Sequence, residues 1–319
     1  MTHFRVPVLD IGAWTGDGCP QDRARVAADL DAACCTVGFV QVLGHGIGDD
    51  VQAGLARALD DFFTLPTEAK AARRRDARGQ RGWTPPGDGH RGSEDHVETF
   101  TVGTSADEHP WLDLPQREYA ANVWPPELPG FRPAVQAYTA EAARVARTLT
   151  RIFACALDVP ADVFTAATDH SLDVLRLHHY RSAPEGEPTG MAPHTDGGIL
   201  TVLWTDGVPG LQVLGIDRQW HDVVPVPGAL VVNLGDLAAR WTNDEWRSTV
   251  HRVLPPVAGG TVRRRLSAAF LHQGNTDAVV AAIPSCVPRG QRPVHPPHHD
   301  RRAPGGEGPQ RGVPTGRAR

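Results

Sequence analysis

No stretch of the sequence approaches the ~18 consecutive apolar residues of a membrane-spanning helix, so no membrane partner is expected. The opening MTHFRVPVLD lacks an apolar core segment, so no secretory signal is expected either. Cysteine is scarce: five residues, two of them adjacent at Cys34 and Cys35. That odd, small number excludes a disulfide framework and fits the reduced thiols of a cytoplasmic protein. Neither sign of charge dominates. The 32 basic and 37 acidic residues are intermixed for a net charge of −5, which argues against nucleic acid or an anionic membrane as partner. No internal repeat of fixed period is visible. What remains is ordinary globular composition, 40% apolar and 22% charged, enough for a sizeable core. At about 150 residues per domain, 319 residues allow two domains or one enlarged β-rich domain. Histidine alone is abundant, with 15 residues, three of them (His295, His298, His299) in an unusual C-terminal tail.

The apolar periodicity changes along the chain. VPVLDIG alternates like a strand. Residues 22 to 37 read as a helix, with Val26, Leu30, Ala33 and Val37 on one face and Gly38 as its stop. A strand follows in FVQVLGHGI, then a helix marked by Val51, Leu55, Leu59, Phe62 and Phe63 and ended by Leu65-Pro66. Residues 73 to 96 show little periodicity and read as a long loop, a length that suggests a lid or binding loop. After Pro133, a stripe of Val135, Tyr138, Ala142, Val145, Leu149, Ile152 and Ala156 predicts the longest helix. From about residue 172, DVLRLHHY, ILTVLW, GLQVL, WHDVVPV, ALVVNLG, STVHRVL and LSAAFLH follow one another without helices between them. Short β-rich runs of that kind indicate a sandwich or jelly roll. From Pro284 apolar residues almost vanish, and a disordered tail is expected.

Within the β-rich part, His194 and Asp196 are separated by one residue, so extended backbone points both to one side. His251 lies in a later strand that a barrel can bring alongside. Two imidazoles and one carboxylate make the facial triad of non-haem Fe(II) oxygenases, with the opposite face left open. Ligation needs neutral imidazoles, so iron affinity falls in acid. His-x-Asp alone is a weak signal. Its position in MAPHTDGGILTVLW, between strand-like runs, strengthens it. Arg265 and Ser267 also share a face, and a guanidinium beside a hydroxyl suits a terminal carboxylate; Arg263 and Arg264 beside it leave a plain solvated charge as the alternative. Tyr180 can add a hydroxyl. Glu98 and Asp95 read more readily as solvated charges than as substrate contacts, and Trp204 as packing. The histidines of HPPHHD suggest adventitious metal binding only. GVPGLQVLG has no following helix and does not read as a dinucleotide site.

The ordered matches VPVLDI, VGFVQVLGHGI, FFTLPTEAK, RGWTPPG, DHVETF, NVWPPELPGFR, PHTDGGILTVL, GLQVL, PVPGALVVNLGDLAARWTNDEWRSTVHRV and RLSAAF resemble the iron- and 2-oxoglutarate-dependent dioxygenases. The branch is the one with isopenicillin N synthase and the plant flavonoid and gibberellin oxygenases. The resemblance runs from about Val6 to about Gly274. It implies an α+β fold: a double-stranded β-helix (jelly-roll) core with N-terminal and flanking helices. It divides the chain into an N-terminal segment (1–104), a helical linker region (105–171), the Fe(II)/2-oxoglutarate jelly-roll core (172–283) and a disordered or frame-shifted tail (284–319). It implies that His194, Asp196 and His251 bind Fe(II), that Arg265 and Ser267 hold the distal carboxylate of 2-oxoglutarate, and that Tyr180 assists. No catalytic residue is implied beyond the metal centre. The cofactors implied are Fe(II), 2-oxoglutarate and O2, with ascorbate as a stimulant, and the products succinate and CO2. His178 stands where the family commonly has Asn, and Gly197 where a larger residue often follows the aspartate.

The expected activity is hydroxylation of a small molecule by a cytoplasmic monomer. The Ala-, Arg- and Gly-rich composition suggests high-GC bacterial coding, hence natural-product or antibiotic biosynthesis. Two alternatives stay open: an oxidase of the isopenicillin N synthase type that does not use 2-oxoglutarate, and a non-catalytic small-ligand binding protein on the same fold. The tail departs from the family, which continues into a Thr-Thr-Gly-Glu-His-Leu-like segment and a closing helix. With one permitted codon choice, HHDRRAPGGEGP read one base later gives Thr-Thr-Thr-Gly-Glu-His-Leu-Ala-Ala-Lys-Val. A frameshift is therefore expected. Resequencing the codons for Val294 to Asp300 should reveal the family-like string in the neighbouring frame; an unambiguous read without it contradicts the expectation.

Overall fold

The computed structural model describes residues 4–75, 81–88 and 95–299, the side chains of residues 298 and 299 excepted. The N-terminal part contains β1 (Val8–Asp10), α1 (Gly12–Thr15), α2 (Pro20–Thr36), β2 (Phe39–Leu43), α3 (Asp49–Phe63), α4 (Thr67–Ala71), β3 (Gly82–Thr84) and β4 (Glu98–Gly103). Next come α5 (Phe131–Ala156), α6 (Asp162–Thr165), β5 (Val174–Tyr180), β6 (Ala183–Pro184), β7 (Met191–His194), β8 (Leu200–Thr205), β9 (Leu211–Leu214), β10 (Trp220–Asp222) and β11 (Leu230–Leu234). The remainder holds α7 (Asp236–Trp241), β12 (His251–Val253), β13 (Val257–Ala258), β14 (Thr261–Val262), β15 (Arg265–His272), β16 (Val279–Val280) and β17 (His298–His299).

The helices follow the expected stripes. Val26, Leu30 and Ala33 of α2 are buried, and Gly38 takes φ +70 just past its end, a conformation glycine adopts without a Cβ penalty. In α5, Val135, Tyr138, Ala142, Val145, Leu149 and Ile152 are buried. Pro133 sits in its first turn, where no intrahelical N–H is needed. Helices α2 and α3 pack against α5.

The helices cover one face of a sheet ordered β1-β2-β11-β8-β15-β5-β4-β3; a second sheet is ordered β10-β9-β12-β7. Together they form the jelly-roll core expected of the α+β fold. Alternation along β5 and β15 decides what each face receives. Leu175, Leu177, Leu266, Ala268 and Phe270 join the core under the helices. Arg176, His178, Tyr180, Arg265 and Ser267 face the opposite way and line a cavity.

Several elements differ from the sequence reading. Helix α7 interrupts the β-rich runs. At six residues it is too short to show a stripe, and tertiary contact fixes it: the amides of Gly235, Asp236 and Leu237 donate to the carbonyls of Ile199, Asp196 and Gly198. The WHDVVPV strand stops at Asp222, because the Gln41 side chain brackets the chain at Val224 and Val226 instead. The stretch 73–96 contributes β3; residues 76–80 and 89–94 lie outside the described residues. Structure also continues past Pro284. A 3-10 turn spans Pro284–Cys286, β16 pairs with β17, the Val294 amide donates to Asn243, and His295 lies 3.1 Å from Asp244. These are polar contacts, invisible to an apolar pattern. The tail from residue 300 onward lies outside the described residues.

Candidate metal centre and co-substrate pocket

Strands β7 and β12 pair antiparallel, and their register sets His194 directly opposite His251. Asp196 follows just beyond β7. Its Oδ1 lies 3.8 Å from His194 Nε2 and 3.9 Å from His251 Nε2, and one ligand atom from each of the three residues falls within 4.8 Å of the others. That spacing is right for a single ion. The outer contacts choose which atoms face it. His194 Nδ1 donates to the Ala192 carbonyl at 2.8 Å and His251 Nδ1 to that of Thr249 at 3.1 Å, which fixes the tautomers and leaves each Nε2 lone pair inward. Asp196 Oδ2 accepts from Thr201 Oγ1 at 2.5 Å and Asn233 Nδ2 at 2.7 Å, leaving Oδ1 for a metal. A neutral imidazole pair with one carboxylate suits Fe(II).

Electrostatics keeps these ligands ready. Burial would raise the Asp196 pKa, but the imidazoles of His251 and His194 and the two hydrogen bonds bring it down to about 2. Burial, assisted by His194, pushes His251 down to about 4. His178, fully buried beside the site, is lowered to about 3 by burial and then by Arg176 and Arg265. Both histidines therefore stay neutral when folded, whereas an unfolded histidine takes a proton near pH 6.5. Acid then favours the unfolded chain. The metal-free protein is expected to lose stability progressively as pH falls below 6.5, the loss ending near pH 4 for His251 and near pH 3 for His178. Asp196 does not enter, since its own contribution is lost only below pH 3.8. Denaturant midpoints between pH 7 and 4 check this: His178→Asn should flatten the slope, and an unchanged slope contradicts the account.

The other predicted residues meet across the β5–β15 pair, where Tyr180 and Arg265 are register partners. Arg265 is 1% exposed. Its Nη1 donates to Ser267 Oγ at 3.0 Å, its Nε to the Val208 carbonyl at 3.2 Å, and its guanidinium lies over the Tyr180 ring at 5.2 Å. A buried cation held this way has the chemistry to grip an anion. It is not a solvated surface charge. The cavity holding the clamp is also lined by His194, Asp196 and His251.

Trp204 packs into the core as expected. The solvated reading of Glu98 and Asp95 is overturned. Glu98 is buried, 2.6 Å from Lys70 Nζ, and it accepts from Trp83 Nε1 at 2.7 Å and meets His179 Nδ1 at 2.8 Å. Asp95 accepts the Ala192 amide at 3.0 Å, fastening β7 where it carries His194. Glu98→Gln keeps the shape and removes the charge. A loss of about 2 kcal/mol is expected, within the range for hydrogen bonds to charged groups; an unshifted denaturant midpoint contradicts it. The sequence reading missed Thr201 and Asn233. A lone polar residue inside ALVVNLG was the available signal for Asn233.

The 2OG-Fe(II) oxygenase superfamily model matches residues 171–274, and that of the non-haem dioxygenase in morphine synthesis N-terminal region matches 6–127. The 2-oxoglutarate-Fe(II) type oxidoreductase hxnY of Emericella nidulans is 32% identical over 314 residues, covering 91% of this chain and 86% of its own. The chain belongs to the 2OG-Fe(II) oxygenase superfamily. Validamycin A dioxygenase of Streptomyces hygroscopicus subsp. limoneus is 34% identical over 301 residues, covering 89% of this chain and 80% of its own. Among solved structures, a full-length Neurospora crassa protein in complex with alpha-KG and thymine aligns at TM-score 0.84 and 25% identity, over 94% of this chain and 95% of that one. As a superfamily member the chain is a 2-oxoglutarate-dependent dioxygenase, with Fe(II) and 2-oxoglutarate as its cofactor and co-substrate. Among the described residues no helix is long and apolar enough to cross a membrane.

Proposed function

We propose that this dioxygenase hydroxylates a small molecule in natural-product biosynthesis, as a cytoplasmic monomer, with release of succinate and CO2. His194, Asp196 and His251 hold Fe(II), and Arg265, Ser267 and Tyr180 hold the distal carboxylate of 2-oxoglutarate. The supporting observation is the register of β7 on β12, which sets both imidazoles opposite one another with Asp196 Oδ1 within 4 Å of each Nε2. When bound, Fe(II) supplies O2 activation coupled to oxidative decarboxylation of 2-oxoglutarate.

The chain's own residues do the rest. The two Nδ1–carbonyl contacts hold the imidazoles in the ligating tautomer. Thr201 and Asn233 keep the Asp196 carboxylate turned. The buried Arg265 orients the co-substrate by its distal end. Met191, Leu203, Leu211 and Val253 give the cavity apolar walls that exclude water. The similarity to validamycin A dioxygenase supports the natural-product setting.

Succinate detection tests the proposal, with the protein supplied with Fe(II), 2-oxoglutarate and air and challenged with a panel of candidate metabolites. Succinate that rises with substrate and vanishes without Fe(II) is expected. Substrate oxidation without succinate would return the site to the oxidase reading.

A further inference from the structure

Strand β8 ends at Thr205, and the next residue, Asp206, is an acid exposed at the protein surface. Both of its carboxylate oxygens are nonetheless bonded to backbone amides: Oδ1 accepts from Val208 at 3.0 Å and Oδ2 from Leu266 at 2.7 Å. Leu266 directly follows Arg265, and Val208 carries the carbonyl that accepts from Arg265 Nε. We propose that Asp206 is a positioning residue for 2-oxoglutarate, acting through Arg265: it folds the 206–208 turn against the start of β15 and so aims the guanidinium at the distal carboxylate. This rests on the co-substrate reading above and names the residue that sets its cation in place.

The ladder between β8 and β15 shows why a side chain is needed there. Its register pairs Trp204 with Ala268 and Thr205 with Ser267. One step further, the Asp206 amide donates to the Leu266 carbonyl at 3.2 Å. In a regular antiparallel pair the Leu266 amide would return to the Asp206 carbonyl. It goes to the Asp206 carboxylate instead. The backbone has turned away at Gly207, whose φ of +82 suits a residue without a Cβ. The side chain thus completes a ladder that the backbone leaves. In place of a continued strand beside Arg265, the turn presents the Val208 carbonyl to Arg265 Nε at 3.2 Å.

Geometry and charge agree. The Val208 carbonyl holds Arg265 at Nε and Ser267 holds it at Nη1. Two contacts on different nitrogens fix the plane of a guanidinium, and that plane decides how it meets a carboxylate. Ser267 lies on the same strand as Arg265, so the 206–208 turn is the support that comes from outside β15. Burial lowers the Arg265 pKa from the ordinary guanidinium value, and the charges of Tyr180 and then Asp206 oppose that shift. Asp206 does so without lining the metal cavity, which Arg265 and Ser267 do line. Its carboxylate supports the cation and leaves the cavity side of the guanidinium to the co-substrate.

The test uses the whole chain loaded anaerobically with Fe(II). The probes are 2-oxoglutarate and 2-oxobutyrate, which keeps the 2-oxo acid and lacks the distal carboxylate. Half-saturation of the visible Fe(II)–2-oxo acid band is read for each, and the parent should prefer 2-oxoglutarate. Asp206→Ala should raise the half-saturating 2-oxoglutarate concentration roughly 3- to 10-fold, the worth of one net hydrogen bond, and leave that of 2-oxobutyrate unchanged. Asp206→Asn keeps an acceptor for the Val208 amide and should lose less. In an Arg265→Ala background Asp206→Ala should add no further loss, because both changes act on one contact. Melting temperature reports that each variant is folded; should Asp206→Ala not fold, the same probe-specific loss in Asp206→Asn decides. Equal losses for the two probes, no loss for 2-oxoglutarate, or an additive loss in the double variant overturns the proposal. A parent that binds both probes equally overturns the assignment of Arg265 to the distal carboxylate instead, and this inference with it.

Discussion

Asp196→Ala is expected to abolish succinate formation while the protein remains folded. Asp196 is one of three side chains placed to bind the metal, and the only anionic one. Without it, two neutral imidazoles face a divalent cation with no charge compensation. Loss of an outer-shell partner costs about 10- to 100-fold in metal affinity or activity; loss of a direct ligand should exceed that. A graded series separates the two levels. Thr201→Val and Asn233→Leu each remove one donor to Oδ2 and leave Oδ1 in place. Each should fall in the about 10- to 100-fold range, partly recovered by excess Fe(II). Near-normal Fe(II) affinity and turnover in Asp196→Ala would falsify the triad. Chelators should inhibit the parent, and Fe(II) with a reductant should restore it.

Arg265→Ala is the second large effect. The guanidinium is buried, anchored by Ser267 and Val208, and stacked over Tyr180. Its removal strips a co-substrate carboxylate of a charge-assisted partner in a desolvated site, at about 2 to 4 kcal/mol. The apparent 2-oxoglutarate requirement should rise roughly 30- to 1000-fold, at tenfold per 1.4 kcal/mol. Ser267→Ala removes a neutral hydroxyl and should cost about 1 kcal/mol. Steady-state titration of 2-oxoglutarate in both variants checks the order. An Arg265→Ala enzyme with an unchanged requirement would favour an oxidase that does not use 2-oxoglutarate.

The proposed metal ligands were legible because strand geometry writes them locally. His194 and Asp196 share a face at i and i+2, as do Arg265 and Ser267, and each pair lies in or beside a β-rich run. What the sequence could not convey is register. That His194 faces His251, and Tyr180 faces Arg265, follows from pairings across 57 and 85 positions that no local pattern records. Glu98 shows the limit most plainly. In DHVETF it looks like any surface acid, yet Lys70, Trp83 and His179 converge on it from three other elements. Asp95 reads the same way and instead fastens β7. Helix α7 was missed for a different reason: its six residues carry no stripe, and the metal loop's carbonyls cap its first turn. Arg176 and His178 did leave a trace. Polar residues alternating with leucine in LRLHHY mark one wet face of a strand, though only the sheet order says that the face looks into the metal cavity.

The central claim is that one cavity binds Fe(II) through His194, Asp196 and His251 and 2-oxoglutarate through Arg265. Anaerobic optical titration of the parent protein tests it most directly. Adding 2-oxoglutarate to the Fe(II)-loaded protein should produce a weak visible charge-transfer band that saturates at one equivalent per chain. The band should be absent in Asp196→Ala and right-shifted in Arg265→Ala. No band in the parent, or an equal band in Asp196→Ala, would contradict the account.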